Sequence, residues 1–189
     1  MRIVVHLLFL LIVTGQSALA QRNYIIDSIP KRGIYRTYEE FKNNDPSITD
    51  NFVFLNGRLW KTDVDGNRIS KIKGKTIWGF CIDSAVYIHW RKYDQLTVLG
   101  RYCSFEESGT RIIMIYSFPW FIPIPMPYHQ EFIINFNTGK VYVLSKKLLK
   151  RILSADDPPL LKEYLARNDN PLHEFVIKYN ERHPDKIKR

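Results

Sequence analysis

The sequence predicts an α+β fold, in which an antiparallel β-rich body (a meander, a partly open barrel or a sandwich) precedes a C-terminal segment of two to three helices. Two observations predict it. Between residues 51 and 144, short apolar stretches alternate with turn residues about every eight to twelve positions, which is typical of antiparallel sheets. From Ser145 onward, the apolar residues recur instead at the spacing of amphipathic helices.

Turn residues mark the hairpins of the body. Asn56-Gly57 separates two apolar stretches, and this pair accepts the positive φ angles of a type I′ turn. Asp83-Ser84 and residues 137–139 separate two further pairs of strand-like segments, and residues 63–67 form another turn. We therefore expect several antiparallel hairpins before residue 145.

Capping residues mark the starts of the helices. Thr37 and Glu40 have the capping-box spacing for a short helix, and Ser145 can cap the first helix of the C-terminal segment. Asp157-Pro158 predicts a second start, because proline at the first helical position gives up no bonded amide. Pro171 opens a last helix.

Residues 1–20 have the pattern of a secretory signal peptide. Arg2 precedes an apolar run over residues 3–13, and Ala18-Leu19-Ala20 has the small-x-small pattern that signal peptidase recognises. The run is about eleven residues long, whereas a membrane-spanning helix needs roughly twenty. We expect cleavage after Ala20 and an exported protein, periplasmic or secreted.

The expected mature chain, residues 21–189, forms a single α+β domain with a β-rich body over 21–144 and a helical segment over 145–189. Removing the leader lowers the net charge from +9 to +8. An exported protein rarely meets nucleic acid, so we expect an envelope protein or a glycan as partner, and no nucleic acid. Weak contact with an anionic membrane surface and a basic surface without a specific partner are the alternatives.

Cys81 and Cys103 are the two cysteines of the chain. An even number of cysteines in an oxidising compartment favours a disulfide. It would close a loop of about 23 residues and stabilise the fold by about 3 kcal/mol. The alternative is a pair of buried thiols on neighbouring strands, and the absence of a CxxC spacing argues against a metal site.

No motif for a catalytic nucleophile, a nucleotide or a cofactor occurs in the sequence, so we expect no catalytic, cofactor or metal residues. His129 and Glu131 are two positions apart on a predicted strand and share one face, where both could contact one metal ion. Two ligands without a third do not form a site, so a solvated strand edge is favoured. A hydrolytic site dispersed over strand ends is the alternative.

Residues 117–128 combine large apolar side chains with prolines at 123, 125 and 127. Alternating prolines remove amides and favour extended polyproline geometry, which argues against a central strand. We therefore expect an apolar loop between two strands, either folded against the body over the core or exposed as a wedge for a protein or membrane. The candidate binding residues of this loop are Trp120, Phe121, Ile122, Ile124 and Met126.

Five further segments form a recognisable series along the chain. They are residues 33–47 (GIYRTYEEFKNNDPS), 78–81 (WGFC), 100–102 (GRY), 135–140 (NFNTGK) and 179–184 (YNERHP). This series resembles a family of uncharacterised exported proteins of Bacteroidota, whose pattern does not include the proline-rich segment. The resemblance implies a Gram-negative periplasmic or surface location and no assigned activity.

Taken together, the residues predict a secreted or periplasmic, non-catalytic binding or structural module whose ligand the sequence does not name. Two alternatives stay open. One is an envelope-associated hydrolase with a dispersed site, and the other is a peripheral membrane protein that uses the apolar segment 118–128.

Overall fold

The computed structural model describes residues 23–24, 30–167, 169 and 171–184, so the predicted leader lies outside the described residues. The strands are β1 Asn23–Tyr24, β2 Gly33–Tyr35, β3 Phe52–Leu55, β4 Arg58–Thr62, β5 Arg68–Lys71, β6 Gly79–Ile82, β7 Ala85–His89, β8 Tyr93–Leu99, β9 Tyr102–Ser117, β10 Trp120–Asn135 and β11 Val141–Val143. The helices are α1 Tyr38–Lys42, α2 Lys146–Asp156, α3 Pro158–Ala166 and α4 Leu172–Arg182. The predicted α+β class is confirmed.

The main sheet curls into an open half-barrel with the strand order β11-β10-β9-β8-β7-β6-β2. Neighbours in this order are antiparallel, and β1 adds in parallel to the end of β8. A small sheet, β3-β4-β5, packs on β6 through the aromatic contact of Phe54 with Phe80, whose ring centroids are 4.9 Å apart. No helix among the described residues is long and apolar enough to cross a bilayer.

The predicted hairpin turns are present. Asn56 and Gly57 have φ angles of 51° and 69°, as a type I′ turn requires. Asp83 and Ser84 also adopt positive φ angles between β6 and β7. Residues 96–105 form the end of β8 and the start of β9, with a break at Gly100 and Arg101.

The predicted helix caps are also present. The Thr37 hydroxyl accepts the Glu40 amide at 3.2 Å, but the Glu40 carboxylate accepts the amide of Arg36 rather than that of Thr37. The Ser145 hydroxyl accepts the amide of Leu148 at 3.2 Å. At the start of α3, the Asp157 carboxylate accepts the Leu160 amide at 3.0 Å. These bonds satisfy amides that have no partner inside the helix.

The part of the β9–β10 hairpin that lies in the sheet is covered on both faces. Ile133 of β10 packs on the C-terminal helices, so we call this side of the hairpin the helix-side face. Phe132 and Ile134 point the opposite way into a second cluster with Phe105 of β9, which defines the core-side face. Because both faces are buried here, this stretch of β10 is continuously apolar rather than alternating.

Asn180 of α4 joins the helical segment to the sheet. Its side chain is fully buried, its Oδ1 accepts the Tyr102 amide at 2.9 Å, and its Nδ2 donates to the Tyr102 carbonyl at 2.8 Å. Gly100 leaves the space for this contact, because a Cβ there would lie 2.5 Å from Cγ of Asn180. The break between β8 and β9 is therefore one of the places where the helices attach to the sheet.

The expected disulfide between Cys81 and Cys103 is wrong. The two residues lie on β6 and β9, which are separated in the sheet by β7 and β8, and no disulfide joins them. Both side chains are buried in the core-side cluster. The Cys81 thiol donates to the carbonyl of Pro30 at 3.3 Å, and the Cys103 thiol to that of Gly100 at 3.5 Å. They act as buried core thiols, although not on neighbouring strands.

We predict that Asn180→Ala lowers the free energy of unfolding by about 2–4 kcal/mol, because it leaves both backbone groups of Tyr102 buried without their partner. Urea denaturation measures the change. Asn43→Ala is the matched control, since Asn43 is exposed at the end of α1, and it should change stability by less than about 0.5 kcal/mol. Equal stability of the two variants would contradict the role of Asn180.

We predict that both thiols are protected but not oxidised. The intact mass should be the same with and without reductant, and a thiol reagent should label Cys81 and Cys103 only after the protein is unfolded. A mass lower by two hydrogens before reduction would show that the pair is oxidised after all. Rapid labelling of the folded protein would show that these side chains are not buried.

Candidate functional site

The β9–β10 hairpin extends well beyond the rest of the sheet. β8 pairs with β9 through residues 104 and 105, and β11 pairs with β10 through residues 132–134. The ladder between β9 and β10 nevertheless continues without a register shift from Asn135↔Tyr102 to Trp120↔Ser117. We call the projecting part, residues 109–128, the arm. At roughly 3.3 Å per residue, its two strands reach about 30 Å from the sheet.

The arm carries most of the exposed apolar side chains of the described chain. Ten of the sixteen large apolar side chains that are exposed lie on it: Ile112, Met114, Ile115, Tyr116, Phe118, Trp120, Phe121, Ile122, Ile124 and Met126. All five predicted binding residues are in this set, from Trp120 at 74% exposed to Ile124 at 37%. The expectation of a loop is wrong, because these residues form a strand, and the alternative of a segment folded over the core does not occur.

Both faces of the arm are apolar. The large apolar side chains of the core-side face are those of Ile113, Ile115, Trp120, Ile122, Ile124 and Met126. Those of the helix-side face are Ile112, Met114, Tyr116, Phe121, Pro123, Pro125 and Pro127. An antiparallel hairpin in water normally has one polar face. The arm therefore continues the two-sided apolar pattern of the buried part of the hairpin, but without its cover.

The backbone direction of β10 explains how the three prolines fit into a strand. In an antiparallel strand, the amide and carbonyl of one residue point to the same side, and the next residue points to the other. The Glu131 carbonyl accepts the Leu144 amide at 2.9 Å, and the Asn135 amide donates to the Lys140 carbonyl at 3.0 Å. Odd-numbered residues of β10 therefore direct their backbone groups away from β9.

Pro123, Pro125 and Pro127 are all odd-numbered, so their missing amides would face the outer edge of β10. They remove no hydrogen bond from the β9–β10 ladder, which tolerates proline only at such edge positions. The same prolines leave three successive edge positions without a donor. The outer edge of β10 in the arm is thus blocked against pairing with another strand.

The opposite edge of the arm, along β9, is open. The Phe136 amide donates to the Arg101 carbonyl at 2.8 Å, so odd-numbered residues of β9 face β10. Even-numbered residues face outward, and Lys92 Nζ of the body donates to one such group, the Ser108 carbonyl, at 3.3 Å. Farther along the arm no described strand lies beside this edge. The residues that direct both backbone groups outward are Thr110, Ile112, Met114 and Tyr116.

A polar hydrogen-bond network lies on the core-side face at the base of the arm. The buried Glu107 accepts hydrogen bonds through Oε1 from the Tyr128 hydroxyl at 2.6 Å and from Arg91 at 3.1 Å. The bond to Glu107 raises the pKa of Tyr128 above its ordinary value. Burial raises the pKa of the nearby Asp94 carboxyl, while the Lys92 ammonium group opposes that shift. This network anchors both strands of the arm where they leave the sheet.

On the helix-side face of the base, the structure adds a third residue to the predicted pair of His129 and Glu131. Glu106 lies directly across the ladder from Glu131, and the ligand atoms of the three side chains lie within 4.8 Å of one another. Ligands of a bound zinc ion lie closer together, about 3.4 Å apart. The Ser108 hydroxyl is 2.9 Å from Nδ1 of His129, whose Nε2 faces Glu106 at 3.8 Å. The group is a cluster of solvent-accessible polar side chains at the base of the arm.

The described part of the body also contains clefts lined by ionisable side chains. One cleft of about 230 Å³ lies between α2 and the sheet and includes Asp156, Tyr102 and Arg151. Its carboxylate is already engaged, because Asp156 accepts the Tyr179 hydroxyl at 2.7 Å and pairs with Arg101 at 3.6 Å. Among the described residues, packing within the fold does not account for the exposed apolar side chains of the arm.

Comparison with known proteins adds no further constraint. No family model, curated protein or solved structure matches the chain. The resemblance to exported proteins of Bacteroidota stays a prediction.

We predict that replacing all three arm prolines by threonine (Pro123→Thr, Pro125→Thr and Pro127→Thr) increases association, because it restores three outward amides on β10. Sedimentation velocity at increasing protein concentration should show larger species than the original protein forms. Pro159→Thr, on the exposed surface of α3, is the matched control and should change nothing. Identical sedimentation of the triple variant and the original protein would contradict the blocked edge.

Proposed function

We propose that this protein is a non-catalytic binding module that works outside the cytoplasm and docks its arm into an apolar site on a protein partner. The observation that carries the proposal is the apolar character of both faces of the arm, which are exposed in the isolated chain. Large exposed apolar patches on a folded protein mark interaction sites. The export of the protein is part of the proposal and rests on residues 1–20.

The amount of apolar surface is sufficient for a complex. Full burial of one large apolar side chain contributes about 1.5–3 kcal/mol, and association costs roughly 4–15 kcal/mol in lost freedom of motion. Ten exposed side chains on the arm can together offset this cost. A single exposed side chain elsewhere, such as that of Val64, cannot offset the cost of association. A partner that covers both faces of the arm is therefore favoured over a flat surface that covers one.

The chemistry of the arm also favours a protein over a glycan. Arg111 is the one charged residue among residues 109–128, so the arm offers few groups for binding sugar hydroxyls. The positive charge lies on the body instead, for example on the exposed face of α2, which carries Lys146, Lys147, Lys150 and Arg151. Electrostatic attraction can then strengthen the binding of a partner, but the apolar contact of the arm is the main source of affinity.

The open edge of β9 favours a protein over the interior of a membrane. Thr110, Ile112 and Met114 direct amides and carbonyls outward. In hydrocarbon these groups have no hydrogen-bond partner, and each one costs several kcal/mol. A protein strand can pair with them.

Site-specific photo-crosslinking tests the proposal. A photoreactive residue at Ile122 should form adducts with protein when the exported protein is irradiated in its native envelope fraction. The same residue at Ile69 is the matched control, because Ile69 is an exposed isoleucine on β5, away from the arm. We expect adducts from position 122 and not from position 69.

Two results would contradict the proposal. Equal adducts from both positions would show non-specific contact. Co-sedimentation with anionic liposomes that is lost in the Trp120→Ser, Phe121→Ser variant, together with no protein adduct, would assign the arm to a membrane surface instead.

A further inference from the structure

We infer that the open edge of β9 pairs antiparallel with the same edge of a second copy of this chain. The two arms then form a four-stranded sheet in the order β10-β9-β9-β10. The inference goes beyond the proposed function, because the pairing uses only the β9 edge and leaves both apolar faces of the arm for the docking partner. Three features support it. The two edges of the arm offer different backbone groups, the arm carries little charge, and the outward groups of β9 can pair with those of a second β9.

The two edges of the arm differ in what they offer a strand. Along β9, four outward positions each present an amide donor and a carbonyl acceptor, whereas three outward positions of β10 are prolines and present only acceptors. A strand that adds to a sheet edge needs both groups in alternation. Strand addition is therefore directed to β9.

A two-fold axis at Ile113 brings the outward groups of two β9 edges opposite one another. Ile112 of each copy lies opposite Met114 of the other, and Thr110 lies opposite Tyr116. All four outward positions of each copy then exchange hydrogen bonds. The pairs across the new ladder join apolar, aromatic and β-branched residues, which stabilise cross-strand contacts.

The charge of the arm is compatible with this arrangement. Arg111 of each copy lies opposite Ile115 of the other and not opposite its own equivalent. The two guanidinium groups are four positions apart along the ladder, about 13 Å, which exceeds the screening length of about 8 Å in physiological salt. Charged residues, which usually protect exposed edge strands, are otherwise absent from residues 109–128.

The prolines make the assembly end at two copies. Pairing the β9 edges leaves only the β10 edges on the outside, and there Pro123, Pro125 and Pro127 supply no donor. A two-fold contact that uses the same edge on both copies is closed, whereas an open second edge would let the sheet grow. The proline positions thus fit an arm that pairs once.

Sedimentation equilibrium of two matched variants tests the pairing. Ile112→Pro with Met114→Pro removes two outward amides without touching the β9–β10 ladder, and should raise the dimer dissociation constant at least tenfold. Ile112→Thr with Met114→Thr changes the same side chains but keeps the amides, and should raise it less. Circular dichroism of both variants checks that the body stays folded. Equal weakening of both variants would contradict strand pairing, and so would a monomeric original protein at millimolar concentration.

A cysteine at the axis tests the same arrangement without disturbing the backbone. Ile113→Cys should give a disulfide-linked dimer on mild oxidation, because the two positions face each other across the ladder. Ile69→Cys is exposed on β5 and should stay monomeric. Equal dimer from both variants, or none from Ile113→Cys, would overturn the arrangement.

These experiments separate the inference from the proposed function. Photo-adducts from Ile122 with a different protein, in a chain that stays monomeric, would refute the pairing of two copies and retain the docking arm. Absence of both dimer and protein adducts would refute both.

Discussion

The alternating backbone direction of the β9–β10 ladder is the constraint that determines both the faces and the edges of the arm. Because the register runs without a shift from the sheet to the tip, groups in the sheet determine the direction of groups in the arm. The hydrogen bond from the Leu144 amide to the Glu131 carbonyl, in the sheet, shows that odd-numbered residues of β10 point their backbone groups away from β9. The carbonyl of Pro125, in the arm, therefore points the same way. One unbroken pattern therefore decides which side chains share a face, which amides are engaged, and why one edge of the arm can accept a strand while the other cannot.

The same two strands have different surroundings along their length. Near the sheet, the C-terminal helices cover one face and the core-side cluster covers the other. Asn180 and Glu107 hold this part in place through hydrogen bonds to Tyr102 and Tyr128. Beyond the polar network the apolar pattern continues, but no other part of the described chain covers these side chains. A hairpin with the composition of a core strand and a well-anchored base is suited to bind something that supplies the missing cover.

Local features of the fold could be predicted from the sequence, whereas features that depend on strand pairing could not. The type I′ turn at Asn56 and the cap at Ser145 follow from residues next to one another, and both are present. The disulfide prediction failed because strand order places two strands between Cys81 and Cys103. Glu106 was missed beside His129 because only the register brings it there. The prolines suggested a loop, since their edge positions can be recognised only once the paired strand is known.

Residue-resolved amide hydrogen exchange tests the ladder and the edge pairing of the arm most directly. At low protein concentration, the amides of Ile113 and Ile115, which face β10, should exchange slowly, and those of Ile112 and Met114, which face outward, should exchange fast. At high concentration the outward amides should become protected as well. Fast exchange at all four positions, or protection that does not alternate along β9, would contradict the ladder, and outward amides that never gain protection would contradict the pairing.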